Sequence, residues 1–579
     1  MKLVTILFLL LMAFCISFTH ADERIPDSFV YASYATINTL DPCTAYDTTA
    51  YQRILNIYEP LIFFKDQHID QFEPILAIQV PSIHNGGISE DGRTYMFTIR
   101  QGVSFHEGQI LNPEDVVYSF KRNMITDPAG GPMWMLLEAL TGYRSTRNEA
   151  GEIIPGIFDR INECIQSNDD QVIFKLPEPY PPFLTILAHS SAVILDKDWA
   201  ISNGCWDGEI AHAAQYNNPS PGSEPLQKIM NGTGPYRLAS WKVSREFIFD
   251  RFDFYWGEKP QIKTAIFKYV KEWSTRKLML LNGDADRVAI DTPYIPEMIL
   301  MKGLTFYSLP QVSITTAMFC QNINPNGNPN IGSGKLDGNG IPPDFFVDSD
   351  VRKGFLHSFN RKLFLEDVLQ YHGVIPATPL IPELPFHKCT PVYPFDLQKA
   401  KAHFQKAWGG KLWANGFKMN IVYNTGNELR ETASLMLAEN IMSLNPKFVI
   451  EIRNIDWKDY IVTYRNFMFP IIIIGWGADF PDPHNFMYSF MHSDGIISHY
   501  LGYKNPTVND LCEQGIRILD PIKRKNIYHQ LQDLWYQEAI GVVIYQNMDF
   551  RAYNNRIQGF IPNPIFADDW DYLKKLWRK

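Results

Sequence analysis

The stretch with the clearest capacity for ligand chemistry is Gly475-Trp476-Gly477-Ala478-Asp479, which follows four consecutive isoleucines at 471–474. The two glycines carry no side chain, so a second backbone can come close to them. Trp476 offers a rigid apolar face and Asp479 a carboxylate able to hold an ammonium group. An extended peptide needs these features: main-chain hydrogen bonds, as in strand addition, and an anion for its amino terminus. The residues alone leave a plainer use open, because Asp479 and Asp482 can also cap the helix or turn around Pro481 and Pro483. Other clusters carry less. His106-Glu107 is an acid–base pair on paper, but no metal ligand or nucleophile stands near it in sequence, which favours packing. Gly332-Ser333-Gly334-Lys335-Leu336 echoes a phosphate loop, yet it lacks the first glycine and has Leu336 where a Ser or Thr would hold magnesium. Asp337, Asn339 and Asp344 do not fit a calcium loop. A secreted hydrolase lacks support, since neither a Gly-x-Ser-x-Gly elbow nor a His-Glu-x-x-His helix occurs. No catalytic residue, metal site or cofactor is therefore assigned.

The elements around this loop follow from local pattern. The isoleucine run is apolar on both faces, as a central strand covered by helices would be, and ligands of open α/β sheets sit beyond the carboxyl ends of such strands. Met419 to Tyr423 and Phe448 to Ile452 also read as strands. Asp396 can cap a helix whose Leu397, Ala400, Phe404 and Trp408 share one face, and residues 429–444 form a second stripe interrupted by Asn440. Strand and helix alternate from about 351 to 546, which predicts an α/β fold with a substantially parallel sheet. Earlier in the chain, Tyr95, Phe97 and Ile99 alternate with polar residues as in a half-buried strand. Asn112-Pro113-Glu114-Asp115 then marks a helix start.

At 579 residues the chain exceeds what one hydrophobic core supports, so two or more domains are expected. Aromatic residues make up 14%, and the net charge of −10 argues against a nucleic-acid partner, which needs a basic face. Lys2, an apolar run to Ile16 and Thr19-His20-Ala21 describe a secretory signal peptide at 1–21, cleaved after Ala21. Phe14 before Cys15 speaks against lipidation. The other six cysteines form no CxxC pair, and six allow 15 pairings among which sequence does not choose.

Read together, these segments resemble the family 5 extracellular solute-binding proteins of ABC importers, the dipeptide- and oligopeptide-binding group. The resemblance runs through Thr39-Leu40-Asp41-Pro42, Tyr58-Glu59-Pro60-Leu61, the block from Ser89-Glu90-Asp91-Gly92 to Val117-Tyr118-Ser119, Gly232-Thr233-Gly234-Pro235-Tyr236, Tyr255-Trp256, Val351-Arg352, Asn360-Arg361 and Trp476 to Pro483. It implies a two-lobed periplasmic-binding-protein fold (type II, cluster C-like) with a hinge and an enlarged N-terminal lobe. Lobe I would comprise 22–311 plus 545–579, with an extra subdomain at about 61–215, and lobe II 312–544. The chain would cross between them near 310–314 and 542–546. The resemblance further implies a periplasmic monomer, not an enzyme, that binds a short peptide and meets ABC permease subunits at the inner membrane. A nonpeptide cargo such as a nickel chelate or haem is the alternative. By resemblance Asp479 engages the ligand amino terminus, with Trp476, Gly475 and Gly477 beside it and Tyr46, Asp47, Thr48 and Glu59 on the opposite wall. Some peptide-binding relatives place a nearby Arg on the ligand carboxylate, whereas the strand before Trp476 here holds only isoleucines.

Overall fold

The computed structural model describes residues 27–565 and 571–579, so the signal peptide expected at 1–21 lies outside the described residues. Seven elements position the loop around Asp479: β1 (Ser28–Ser33), α1 (Thr48–Ile57), β2 (Leu304–Phe319), α2 (Glu428–Met442), β3 (Ile471–Gly477), α3 (Pro483–Met491) and β4 (Gly541–Asn554). Each of the three helices begins on a side chain that accepts a backbone N–H left over in its first turn. Asp47 accepts from Ala50 at 2.8 Å, Asn427 from Arg430 at 3.1 Å and Asp482 from His484 at 2.8 Å.

An eight-stranded sheet runs through the molecule in the order β3, β2, β4, Arg287–Val288, β1, Thr264–Tyr269, Glu246–Arg251 and Tyr236–Lys242. β2 and β4 pair antiparallel from Leu304↔Asn554 to Met318↔Gly541, with register shifts between Pro310 and Ile314 and between Thr315 and Thr316. Pro310 has no N–H to give a ladder, which suits an interruption there. One core gathers side chains from Phe29 to Phe267 together with Tyr553, Ile557, Leu573 and Leu576. A second runs from Val312 to Tyr545. The two long strands thus pass from one core into the other.

Two expectations about the second core need correction. Its sheet is not substantially parallel: Phe417–Asn424 and Phe448–Ile455 do pair in parallel, but β3 pairs antiparallel with β2. Nor is β3 central, because among the described strands it ladders only with β2. Its isoleucines are buried on both faces all the same, covered by packing instead of by flanking strands. That is why a continuous apolar run reads as a central strand from sequence. Other local readings hold. Thr94–Thr98 is a strand with Tyr95 and Phe97 inward, and Pro113–Thr126 is a helix with a reciprocal capping box between Asn112 and Asp115. Asn440, which breaks the stripe of α2, donates to the Ser358 carbonyl at 2.9 Å. Trp408 falls outside the Leu397–Lys406 helix, in a left-handed turn at φ 53°.

The carboxy terminus closes the first core with charge. Asp571 accepts from Arg287 at 2.6 Å and from the Tyr553 hydroxyl, and Arg578 reaches Asp286 at 2.9 Å. Of these five residues, all but Arg578 are buried. The six cysteines among the described residues are unpaired, five of them buried and Cys389 exposed.

Candidate functional site

β3 delivers its last residues, Gly475, Trp476 and Gly477, opposite Thr315, Ile314 and Ser313 of β2. The chain then turns so that α3 can start at Pro483, and Asn485, its third residue, reaches back. The Trp476 indole N–H donates to Asn485 Oδ1 at 2.9 Å, and Asn485 Nδ2 donates to Asp479 Oδ2 at 3.3 Å. Asp479 Oδ1 accepts the Tyr46 hydroxyl at 2.5 Å, across from the loop that leads into α1. Tyr46 in turn accepts the Trp134 indole N–H at 3.0 Å. The half-buried carboxylate thus has neutral partners on both oxygens and forms no ion pair among the described residues. Lost hydration raises the Asp479 pKa, and the hydrogen bonds from Tyr46 and Asn485, with the more distant Arg144, only partly oppose this. Arg144 stacks between rings, 4.6 Å from the Trp134 centroid and 5.4 Å from that of Tyr488, and pairs with Glu138 at 3.8 Å. Phe480, from the loop after β3, is 1% exposed within the first core, its ring 6.1 Å from Trp134.

The structure brings Tyr46, Trp476, Gly475 and Gly477 to Asp479 and sets Asp47 and Thr48 just beyond. Asp47 caps α1, while Thr48 lines a cavity of about 1010 Å³ whose walls include Tyr31, Asn427, Thr432 and Tyr545. Glu59 does not join them. Its carboxylate is buried and accepts from Thr233 at 2.9 Å, Tyr255 at 2.7 Å and Trp256 at 2.8 Å. Burial pushes its pKa up, and nearby Lys574 and these donors pull it back. Three separate sequence motifs therefore meet at this one carboxylate as a structural knot. Gly232 and Gly234 are needed there, because a Cβ on either would lie 2.1 or 2.5 Å from the Ile57 carbonyl oxygen. Asp482 is a cap that also holds Arg524 at 2.7 and 2.9 Å. His106 Nε2 lies 2.9 Å from the Gly234 carbonyl oxygen, and burial lowers its pKa to about 4, a packing role.

Trp134, Arg144, Asn485 and Tyr488 escaped the sequence reading. Asn485 had a signal, since a capped helix starting at Pro483 turns its third residue back toward the preceding loop. Trp134 and Arg144 reach the site only through tertiary folding, and nothing near them in sequence marks it.

Two packed bodies are joined by paired strands, and a carboxylate with neutral partners lies where they meet. The match to the bacterial extracellular solute-binding proteins, family 5 Middle, covers residues 73–498, and the chain belongs to this family. These are solute-binding receptors, not enzymes. The chain is 25% identical over 494 residues to the dipeptide-binding protein of Escherichia coli (strain K12), covering 83% of this chain and 82% of that one. It is 22% identical over 563 residues to heme-binding protein A of Haemophilus influenzae, covering 95% and 92%. Among solved structures, the periplasmic binding protein DppA from Helicobacter pylori, in complex with the peptide STSA, superposes with a TM-score of 0.70 at 20% identity, covering 95% of this chain and 98% of that one. The two-lobed α/β fold is thereby shared. No described helix is long and apolar enough to cross a membrane.

Proposed function

We propose that the protein is the periplasmic substrate-binding receptor of an ABC importer, that it captures short peptides between its lobes, and that it delivers them to a membrane permease. The observation that carries this reading is Asp479, a carboxylate with neutral partners only, beside a strand whose outer edge carries no ladder among the described strands. A peptide ammonium supplies the missing counter-charge, and its backbone can pair with Gly475 and Gly477. In this reading the first 21 residues are an export signal and the mature chain is a monomer. Lobe I comprises 22–311 with 545–579 and lobe II 312–544. The bend lies at the crossings near 310–314 and 542–546, where the register shift of β2 and β4 supports it. Calorimetry with a peptide library on the wild type and Asp479→Asn tests the reading; undiminished affinity in the variant removes Asp479 from the role.

A nonpeptide cargo is favoured by one finding, the likeness to a protein named for haem binding. No cluster of His, Cys, Asp and Glu suited to a metal ion occurs among the described residues, so such a cargo would have to bring its own ligand shell. Mass spectrometry of the solute released from purified protein separates the two readings.

A further inference from the structure

Two of the five buried cysteines meet at one side chain. Arg122, buried on the Pro113–Thr126 helix, lays its two Nη atoms along the Asp41 carboxylate, Nη1 to Oδ1 at 2.6 Å and Nη2 to Oδ2 at 2.5 Å. Beside each Nη stands a sulfur: Cys43 Sγ is 3.1 Å from Nη1 and Cys205 Sγ is 3.6 Å from Nη2, with Asn123 Oδ1 also on Nη1 at 3.1 Å. Both nitrogens belong to one rigid planar group, so the two thiols are held in the same small polar enclosure. The other cysteines are placed differently. Cys164 gives its hydrogen to the Ile161 carbonyl at 3.3 Å, Cys320 and Cys512 are embedded in the second core, and Cys389 is exposed.

Hydrogen bonding alone does not account for sulfur at these two positions. A guanidinium removed from water needs good acceptors, and sulfur is a weak one where a serine hydroxyl would be a strong one. What two neighbouring thiols add is the capacity to join. The bond would tie the Asp41–Asp47 loop to Gly204-Cys205-Trp206, with the two cysteines 162 positions apart (205 − 43). The first segment presents Tyr46 to Asp479 and Asp47 to the first turn of α1. The second is anchored by Trp206, stacked on Tyr118 with centroids 5.7 Å apart, its carbonyl accepting the Tyr118 hydroxyl at 2.7 Å.

We infer that Cys43 and Cys205 form a disulfide during folding, by exchange with an external disulfide. One cysteine thiolate attacks a donor sulfur and expels the first donor thiolate. The second then attacks the mixed disulfide and expels the other. The two cysteines give up two protons and two electrons, and the donor leaves as two thiols. A neighbouring guanidinium favours the attacking thiolate. In the folded protein burial pushes both thiols up and Arg122 opposes it, so the exchange belongs to the stage at which the loop bearing Cys205 is still open to solvent. The donor comes from the export reading, because exported chains fold where disulfides persist; the nature of the cargo has no part in it.

In the test the full chain is produced with its own first 21 residues, blocked with iodoacetamide under denaturing conditions, digested without reductant and mapped by mass spectrometry. A second sample is refolded from urea with oxidised and reduced glutathione. Both are expected to yield the peptides of Cys43 and Cys205 joined, two hydrogens lighter than the pair of free thiols. Reductant in the unfolding buffer should lower Tm by at least about 4 °C, since the closed loop is long, and should have no such effect on Cys205→Ala. Alkylated Cys43 and Cys205 in the refolded sample, a link from either to another cysteine, or a Tm shift that persists in Cys205→Ala overturns the assignment. So do free thiols in exported protein from which residues 1–21 have been removed. Free thiols in protein that retains residues 1–21, with the link formed on refolding, support the pair and overturn the export reading instead.

Discussion

Replacing Asp479 by asparagine keeps the volume and the hydrogen bond to one partner while removing the charge, which isolates the ionic part of recognition. A hydrogen bond to a charged group contributes about 1.5–3 kcal/mol, and two unit charges 4 Å apart near a protein surface interact by about 4 kcal/mol. Part of that is offset by stripping water from the ammonium. A loss of about 2–4 kcal/mol is expected, which is roughly a 30- to 1000-fold rise in peptide Kd. The carboxyl's raised pKa fixes the pH behaviour. An acid whose folded-state pKa lies above its unfolded value stabilises the fold below the unfolded pKa, and loses that contribution as pH rises through the folded one. The free protein at neutral pH thus carries a penalty for ionised Asp479, so Asp479→Asn should not lower Tm. Binding an ammonium pulls the pKa down, so peptide affinity should fall on acidification through the free protein's Asp479 pKa, with proton release on binding there. Titration calorimetry in buffers of different ionisation enthalpy reads both affinity and proton count. A Kd changed less than threefold in Asp479→Asn, or an affinity flat across that pH window, refutes the reasoning.

Glu59→Gln should lower the urea midpoint, because three donors lose a charged acceptor worth about 1.5–3 kcal/mol per hydrogen bond, while peptide Kd stays within threefold; a selective loss of affinity would place Glu59 in the site after all. Gly234→Ala forces a Cβ to 2.5 Å from the Ile57 carbonyl oxygen, and overpacking of this kind is destabilising by about 1–3 kcal/mol, which chemical denaturation will detect. Phe480→Ala removes a side chain buried among residues of the other core, at a loss of about 3–5 kcal/mol. Small-angle scattering should show the ligand-free molecule expanding, and an unchanged radius of gyration would mean that Phe480 does not hold the two bodies together.

What sequence made legible was local. The capping box at Asn112, the alternating burial of Thr94–Thr98 and the parallel pair around Ile421 and Ile450 all follow from period and end chemistry, which act within a few residues. The candidate site was legible where glycine, tryptophan and aspartate are contiguous. It was illegible where partners come from far away: Trp134 lies 345 residues from Asp479 (479 − 134), and no local rule marks it. The place of β3 in its sheet was misread because burial on two faces has two causes, neighbouring strands or covering side chains, and the isoleucines are the same in both. As an edge, β3 is better suited to receive an extended backbone than a central strand would be. Glu59 was drawn toward the site by the motif it sits in. Its role is visible only once Thr233, Tyr255 and Trp256 converge on it.

The closure of the first core by the last residues bears on how the chain is made. Arg287 and Asp286 take their carboxylate and guanidinium partners from positions 571 and 578, within nine residues of the end. Until synthesis supplies Arg556, Asp571 and Arg578, the amino-terminal half would have to bury Asp286 and Arg287 without these partners, at a penalty of several kcal/mol. The first core therefore has reason to stay loosely folded until residues 571–578 have been made and can dock on it.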